Sequence, residues 1–136
     1  LDMVNFGARN TVPEKFADRL FYEHNPQVTL MRTTVEENQA FARFLTDRIN
    51  RMDGPVRFLL PEGGVSALDA PGQPFEDTTA RNALFAAIES CFEETAHRQL
   101  IRVPHHINDP EFAQVALAAL RAITPETRPE MTHAAI

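Results

Sequence analysis

Three short polar clusters hold the side chains of this sequence that could do chemistry. Arg32-Thr33-Thr34 sets a guanidinium beside two hydroxyls just ahead of a helical pattern. That arrangement suits an anion, because helix N-termini and arginine forks both favour negative charge. The same residues also read as a helix cap beside a surface arginine. Pro61-Glu62-Gly63-Gly64-Val65-Ser66 follows an apolar run. Paired glycines let backbone amides come close to a phosphate or carboxylate, and Ser66 adds a hydroxyl donor. Neither the P-loop pattern nor the dinucleotide fingerprint is present, so glycines that simply permit a turn are the competing account.

His105-His106, with Asn108 and Asp109 close behind, invites a metal or acid-base reading, because imidazole is a common ligand and the neutral-pH proton carrier. Adjacent histidines in an extended segment point opposite ways, which disfavours both holding one ion, and two isolated histidines in a turn is the plainer account. Asp69, Glu76 and Asp77 flank turns at Pro71-Gly72 and Pro74, with Glu62 near in sequence. Such carboxylates could hold magnesium beside a phosphate, or serve turns and caps. No serine, histidine and aspartate spacing matches a nucleophile motif, and Ser66 lacks the elbow pattern. Nucleophilic catalysis has no support here.

The elements that must position these clusters follow from period and punctuation. From Pro26 onward a unit repeats three times: a short apolar run, a polar cluster, then a segment of helical period. That alternation predicts parallel strands at 28–31, 56–60 and 99–103 and an α/β fold with helices on both faces. Thr34 with Glu37 forms a capping box for a helix reaching about Met52, ended by Asp53-Gly54-Pro55. A second helix spans about 78–93, with Cys91 on its apolar face, and a third starts at Pro110 with Phe112, Val115, Ala116, Ala119, Leu120 and Ile123 in register. The 61–77 connection is long for a compact domain, which marks it as functional. Residues 8–27 are expected to hold one short helix, capped by Thr11 with Glu14, and a connection at 21–26 into the first strand. Right-handed crossovers put all three clusters at the carboxyl edge of the sheet, where open α/β sheets take their ligands.

Composition bounds the partners. The chain has 136 residues, 43% of them hydrophobic, enough for one domain with a sizeable core. Its net charge is −6, with Lys15 the single lysine against twelve scattered arginines. Nucleic acid and anionic membranes want clustered positive charge, so neither is expected. No apolar run approaches the roughly 20 residues a bilayer span needs. Cys91 is the one cysteine, so no internal disulfide forms and a cytoplasmic location is expected. Leu1 to Gly7 enters mid-pattern, as though strands preceded it, so a fragment is expected. Thr124 to Ile136 carries Pro125 and Pro129 with no period, which predicts a flexible tail.

Taken in order, Val4-Asn5-Phe6-Gly7, Arg32-Thr33-Thr34 with Glu37-Asn38, Gly64-Val65-Ser66-Ala67-Leu68-Asp69-Ala70-Pro71-Gly72 with Pro74-Phe75, and His106-Ile107-Asn108-Asp109-Pro110 with Phe112-Ala113 resemble one family. It is the largely uncharacterised family similar to the ATP-binding N-terminal region of the plant tobamovirus-multiplication inhibitor. The resemblance covers about residues 1–123. It implies a two-lobed protein with Rossmann-like lobes, this chain being most of the second and 124–136 its tail. It further implies ATP as ligand; magnesium is expected only as the ion that the carboxylates above could hold beside its phosphates. The plant relative obstructs a viral replication protein, a role that belongs to that relative.

The sequence therefore leads to a three-layer, Rossmann-like parallel sheet that holds a nucleotide or other phosphate or carboxylate ligand at its carboxyl edge. The candidate ligand residues are Arg32, Thr33, Thr34, Gly63, Gly64, Ser66, Asp69, His106, Asn108 and Asp109. The expected partners are the other lobe and a second copy of the chain. The rival readings are a protein-interaction or dimerisation module and a metal-dependent hydrolase built on His105, His106 and Asp109.

Overall fold

A computed structural model describes residues 1–124 as a mixed α/β fold, with five strands in two sheets and three α-helices. The tail expected from Thr124 onward lies, apart from that residue, outside the described residues. In chain order the elements are β1 (Met3–Phe6), β2 (Phe21–Asn25), β3 (Val28–Arg32), α1 (Val35–Ile49), β4 (Val56–Pro61), α2 (Thr78–Cys91), β5 (Arg98–Val103) and α3 (Pro110–Ile123).

The three expected parallel strands divide. β4 and β5 do pair in parallel, in register from Val56 opposite Arg98 to Pro61 opposite Val103. β3 instead sits in the middle of an antiparallel sheet of order β1-β3-β2. The cause is local. Phe21–Asn25, expected to be a connection, is itself a strand, and Pro26 and Gln27 are all that separate it from β3. So short a link closes an antiparallel hairpin, whereas a parallel partner needs a crossover of a dozen residues or more. The parallel sheet thus has two strands. The single short helix expected near Thr11 is two 3-10 turns, Arg9–Thr11 and Glu14–Phe16, parted by Pro13; Thr11 Oγ1 donates back to the Ala8 carbonyl at 2.7 Å rather than capping forward.

The helices follow their caps. Thr34 Oγ1 accepts from the Glu37 amide at 3.2 Å while Glu37 Oε2 accepts from the Thr34 amide at 2.8 Å, the reciprocal box that starts α1. Asp77 accepts from the Ala80 amide at 2.9 Å to start α2. At their far ends the two helices are joined by Asn50, whose Nδ2 donates to the Cys91 carbonyl and whose Oδ1 accepts from the Glu93 amide. α1 and α2 pack together, and the core forms where Ala42 meets Leu84, Phe85 and Ile88 over Leu60 of β4. Each large side chain sealed there contributes about 1.5–3 kcal/mol. α3 has the cleanest apolar stripe but buries none of its residues.

Candidate functional site

β4 and β5 run side by side, so the loops that follow them emerge at the same edge. The first, Glu62–Asp77, contains a 3-10 turn at Ala67–Asp69, and the second is Pro104–Asp109. Gly63 and Gly64 let the two loops touch. A Cβ on Gly63 would lie 2.5 Å from the His106 amide nitrogen, and one on Gly64 would lie 2.6 Å from His106 Cδ2 and 2.8 Å from the Asp69 carbonyl. Gly64 also has φ of 135°, a backbone state that side chains disfavour. Contact is fixed by backbone bonds from Gly63 N to the His105 carbonyl at 3.0 Å and from Ile107 N to the Gly64 carbonyl at 3.0 Å.

His106 stitches the loops further. Its Nε2 lies 2.8 Å from the Ser66 carbonyl, and its Nδ1 accepts from the Asn108 amide at 3.1 Å. A carbonyl can only accept, so Nε2 carries a hydrogen and donates it. Asp109 accepts from the His106 amide at 2.8 Å through Oδ2 instead of capping α3, whose first turn has no side-chain cap.

Beneath the loops lies a sealed ionic node. Asp69, with no exposed surface, meets Arg32 Nη2 at 3.2 Å and Arg81 Nη1 at 3.0 Å, and accepts from the Val65 amide at 3.1 Å. Arg32 also donates to the carbonyls of Phe75, Asp2 and Asp77 and to Thr33 Oγ1. Burying such charges is tolerable only because each is paired, and Arg32 has further acceptors for its remaining hydrogens. Thr33 Oγ1 donates to the Leu1 carbonyl at 2.7 Å and accepts from Asn38 Nδ2 at 2.9 Å. Ser66 Oγ donates to Asp2 Oδ2 at 2.6 Å while accepting from the amides of Leu68 and Asp69.

Eight of the ten candidate residues fall into two groups, and Gly64 and Asn108 belong to neither. Arg32, Thr33, Thr34, Ser66 and Asp69 have their polar groups bonded within the protein. Gly63, His106 and Asp109 line an open cleft of about 420 Å³, together with Ala70, Pro71, Pro104 and His105. Gly64 sits behind it, and Asn108 is exposed beyond its lining. His105 makes no side-chain bond that ties it to either loop. Of the carboxylates that magnesium would need, Glu62 pairs with Arg102, Glu76 accepts from the Gly72 amide and Asp77 caps α2. Among the described residues no three His, Cys, Asp or Glu side chains are placed to hold a metal ion.

Reading the residues one by one missed Arg81 and Asp2. Arg81 had a signal: it falls on the stripe of Leu84, Phe85 and Ile88, where a charge must find a buried partner. Asp2, 3% exposed, had none, since its partner Ser66 is remote in sequence.

Comparison with known proteins places these features in a lineage. The profile of the C-terminal domain of an uncharacterised protein family, UPF0261, matches residues 1–124. The UPF0261 protein RA0729 of Rhizobium meliloti is 54% identical over 123 residues, which are 90% of this chain and 31% of that protein. The ToMV resistance protein Tm-1(GCR237) of Solanum lycopersicum is 45% identical over 128 residues, 94% of this chain and 17% of that protein. The chain thus spans a third or less of the length of these relatives. By the reach of that match and the closeness of those relatives, this chain belongs to the UPF0261 family and corresponds to its C-terminal, Tm-1-like region.

Proposed function

We propose that this chain contributes a ligand-binding wall to a longer UPF0261 protein, with a nucleotide or another phosphate- or carboxylate-bearing ligand held in the cleft between the two loops. One observation carries the reading: parallel strands β4 and β5 end together at that cleft, and Asp109, which leads into the uncapped first turn of α3, lines it. Uncapped amides at a helix start are partners for an anion. The resemblance to a family described as ATP-binding makes ATP the first ligand to test, with magnesium held by its phosphates. The rest of the polypeptide would supply the facing wall, and the three-layer Rossmann-like arrangement would be complete only there. A cytoplasmic setting fits a lone unpaired thiol at Cys91.

Calorimetric titration with ATP and magnesium, with tripolyphosphate in parallel, tests the proposal. Ala70→Asp sets a carboxylate at the cleft and His105→Ala removes its unattached donor. Each variant should weaken binding about tenfold, the effect of one charged or hydrogen-bonded contact. Equal affinity in all three proteins would sink the reading.

A second reading has its own observation. Leu120 of the α3 stripe and Leu117 beside it are 57% and 47% exposed, which suits pairing with another copy. Light scattering separates the two, since Leu117→Lys with Leu120→Lys should turn a dimer into a monomer while leaving ligand affinity unchanged.

A further inference from the structure

β5 pairs with β4 on one side and, among the described residues, with no strand on the other. The Val56 amide donates to the His97 carbonyl at 2.8 Å and the Glu62 amide to the Val103 carbonyl at 2.9 Å, so both of those carbonyls face β4. Backbone groups alternate sides along a strand, which turns Arg98, Leu100 and Arg102 to the open margin. A row of unpaired N–H and C=O groups there would be a template for another chain.

The polypeptide closes most of that margin with its own approach to the strand. The Thr95 amide donates to the Arg98 carbonyl at 2.9 Å, and the Arg98 amide donates back to the Thr95 carbonyl at 3.3 Å and to Thr95 Oγ1 at 3.0 Å. One residue earlier, Glu94 Oε1 accepts from the Leu100 amide at 3.1 Å. A carboxylate thus stands where the carbonyl of a neighbouring strand would, and ionised acceptors make the stronger bonds. Among the described residues this leaves the Leu100 carbonyl and the N–H and C=O of Arg102 without a partner.

Charge rims the same margin. A groove of about 530 Å³ borders it, lined by Phe92 and Leu100 and by the charged ends of Glu89, Glu94 and Arg102. Arg102 is held between Glu62 at 2.7 Å and Glu89 at 2.6 Å. A strand laid along β5 would have to displace Glu94 from Leu100 and strip water from these charges, the kind of cost that keeps sheet edges single.

We propose that Glu94 and Thr95 form an edge cap that keeps β5 from pairing with a second copy of this chain, Glu94 acting through its carboxylate on the Leu100 amide. Glu94→Ala in the intact polypeptide tests this, with Glu93→Ala as the control, since it removes the same charge from a neighbour whose side chain makes no bond to β5. Glu94→Ala should speed exchange at the Leu100 amide about tenfold in dilute solution and raise the self-association constant by about the same factor. At high concentration the Arg102 amide should become protected, which locates the contact on β5 and not on the α3 stripe. Glu94→Gln, which keeps an acceptor oxygen, should stay close to the parent in both measurements. Unchanged Leu100 exchange in Glu94→Ala would overturn the proposal, as would an association constant equal to the parent's. Equal association in Glu93→Ala and Glu94→Ala would overturn it too, because net charge and not the capped edge would then keep copies apart.

Discussion

Arg32 and Asp69 meet through Nη2 and Oδ1 at 3.2 Å with their side chains 6% and 0% exposed, although 37 residues separate them in sequence. The pair ties the end of the antiparallel sheet to the loop that follows the parallel one. Arg81 holds the second oxygen of Asp69, so removing that carboxylate would leave two buried guanidinium groups without a counter-charge. Asp69→Asn should therefore cost about 3–5 kcal/mol in chemical denaturation. A loss below about 1 kcal/mol would show that the node is not structural.

Gly64 offers a sharper contrast. With φ at 135° and a Cβ position 2.8 Å from the Asp69 carbonyl, Gly64→Ala should destabilise the fold by about 1–3 kcal/mol. Gly54, with nothing within 4 Å, is the control, and Gly54→Ala should stay within about 0.5 kcal/mol. Urea midpoints of the two variants decide it.

The two neighbouring histidines should behave differently. His106 is bonded at both ring nitrogens, so His106→Ala should cost about 1–2 kcal/mol and speed amide exchange at Gly63 and Ile107. His105→Ala, which removes no bond between the loops, should leave stability within about 0.5 kcal/mol. Equal losses in both variants would contradict the stitching role of His106.

Glu37 gives a pH dependence of known sign. Arg19, bonded at 2.6 Å, holds its carboxyl below the ordinary 4.5, outweighing the upward push of burial, and the Thr34 amide helps. A carboxyl depressed by folding adds stability that is present above 4.5 and is lost as pH falls through the lower folded value. Arg19→Ala should raise the Glu37 titration midpoint by NMR and cost roughly 0.5–1 kcal/mol at pH 7, given a partly solvated pair. The cost should shrink well below pH 4.

How far the sequence could be read depended on the reach of each interaction. Thr34 with Glu37 and the stripes of α1 and α2 are local patterns, and they gave those helices and the core around Leu84 and Ile88. The α3 stripe fixed its helix equally well but could not say what would cover it. Pairing partners are not local: β3 looks like any apolar run, and only the strand quality of Phe21–Asn25, masked by Glu23, His24 and Asn25, sends it into an antiparallel sheet. The site split the same way. Its loops were marked by glycine and proline, but whether Arg32 points outward or inward depends on Asp69 and Phe75, which the fold alone brings near.

The inward turn of Arg32 and Arg81 bears on how a ligand would arrive. No lysine or arginine lines the cleft, and the chain carries a net charge of −6. An anion approaching from solution therefore meets no long-range attraction, and the short-ranged peptide dipoles act only after contact. Encounter rates at this wall should be unaccelerated and should rise slightly, rather than fall, with ionic strength. Discrimination among anions then rests on dwell time in the cleft and not on the speed of capture.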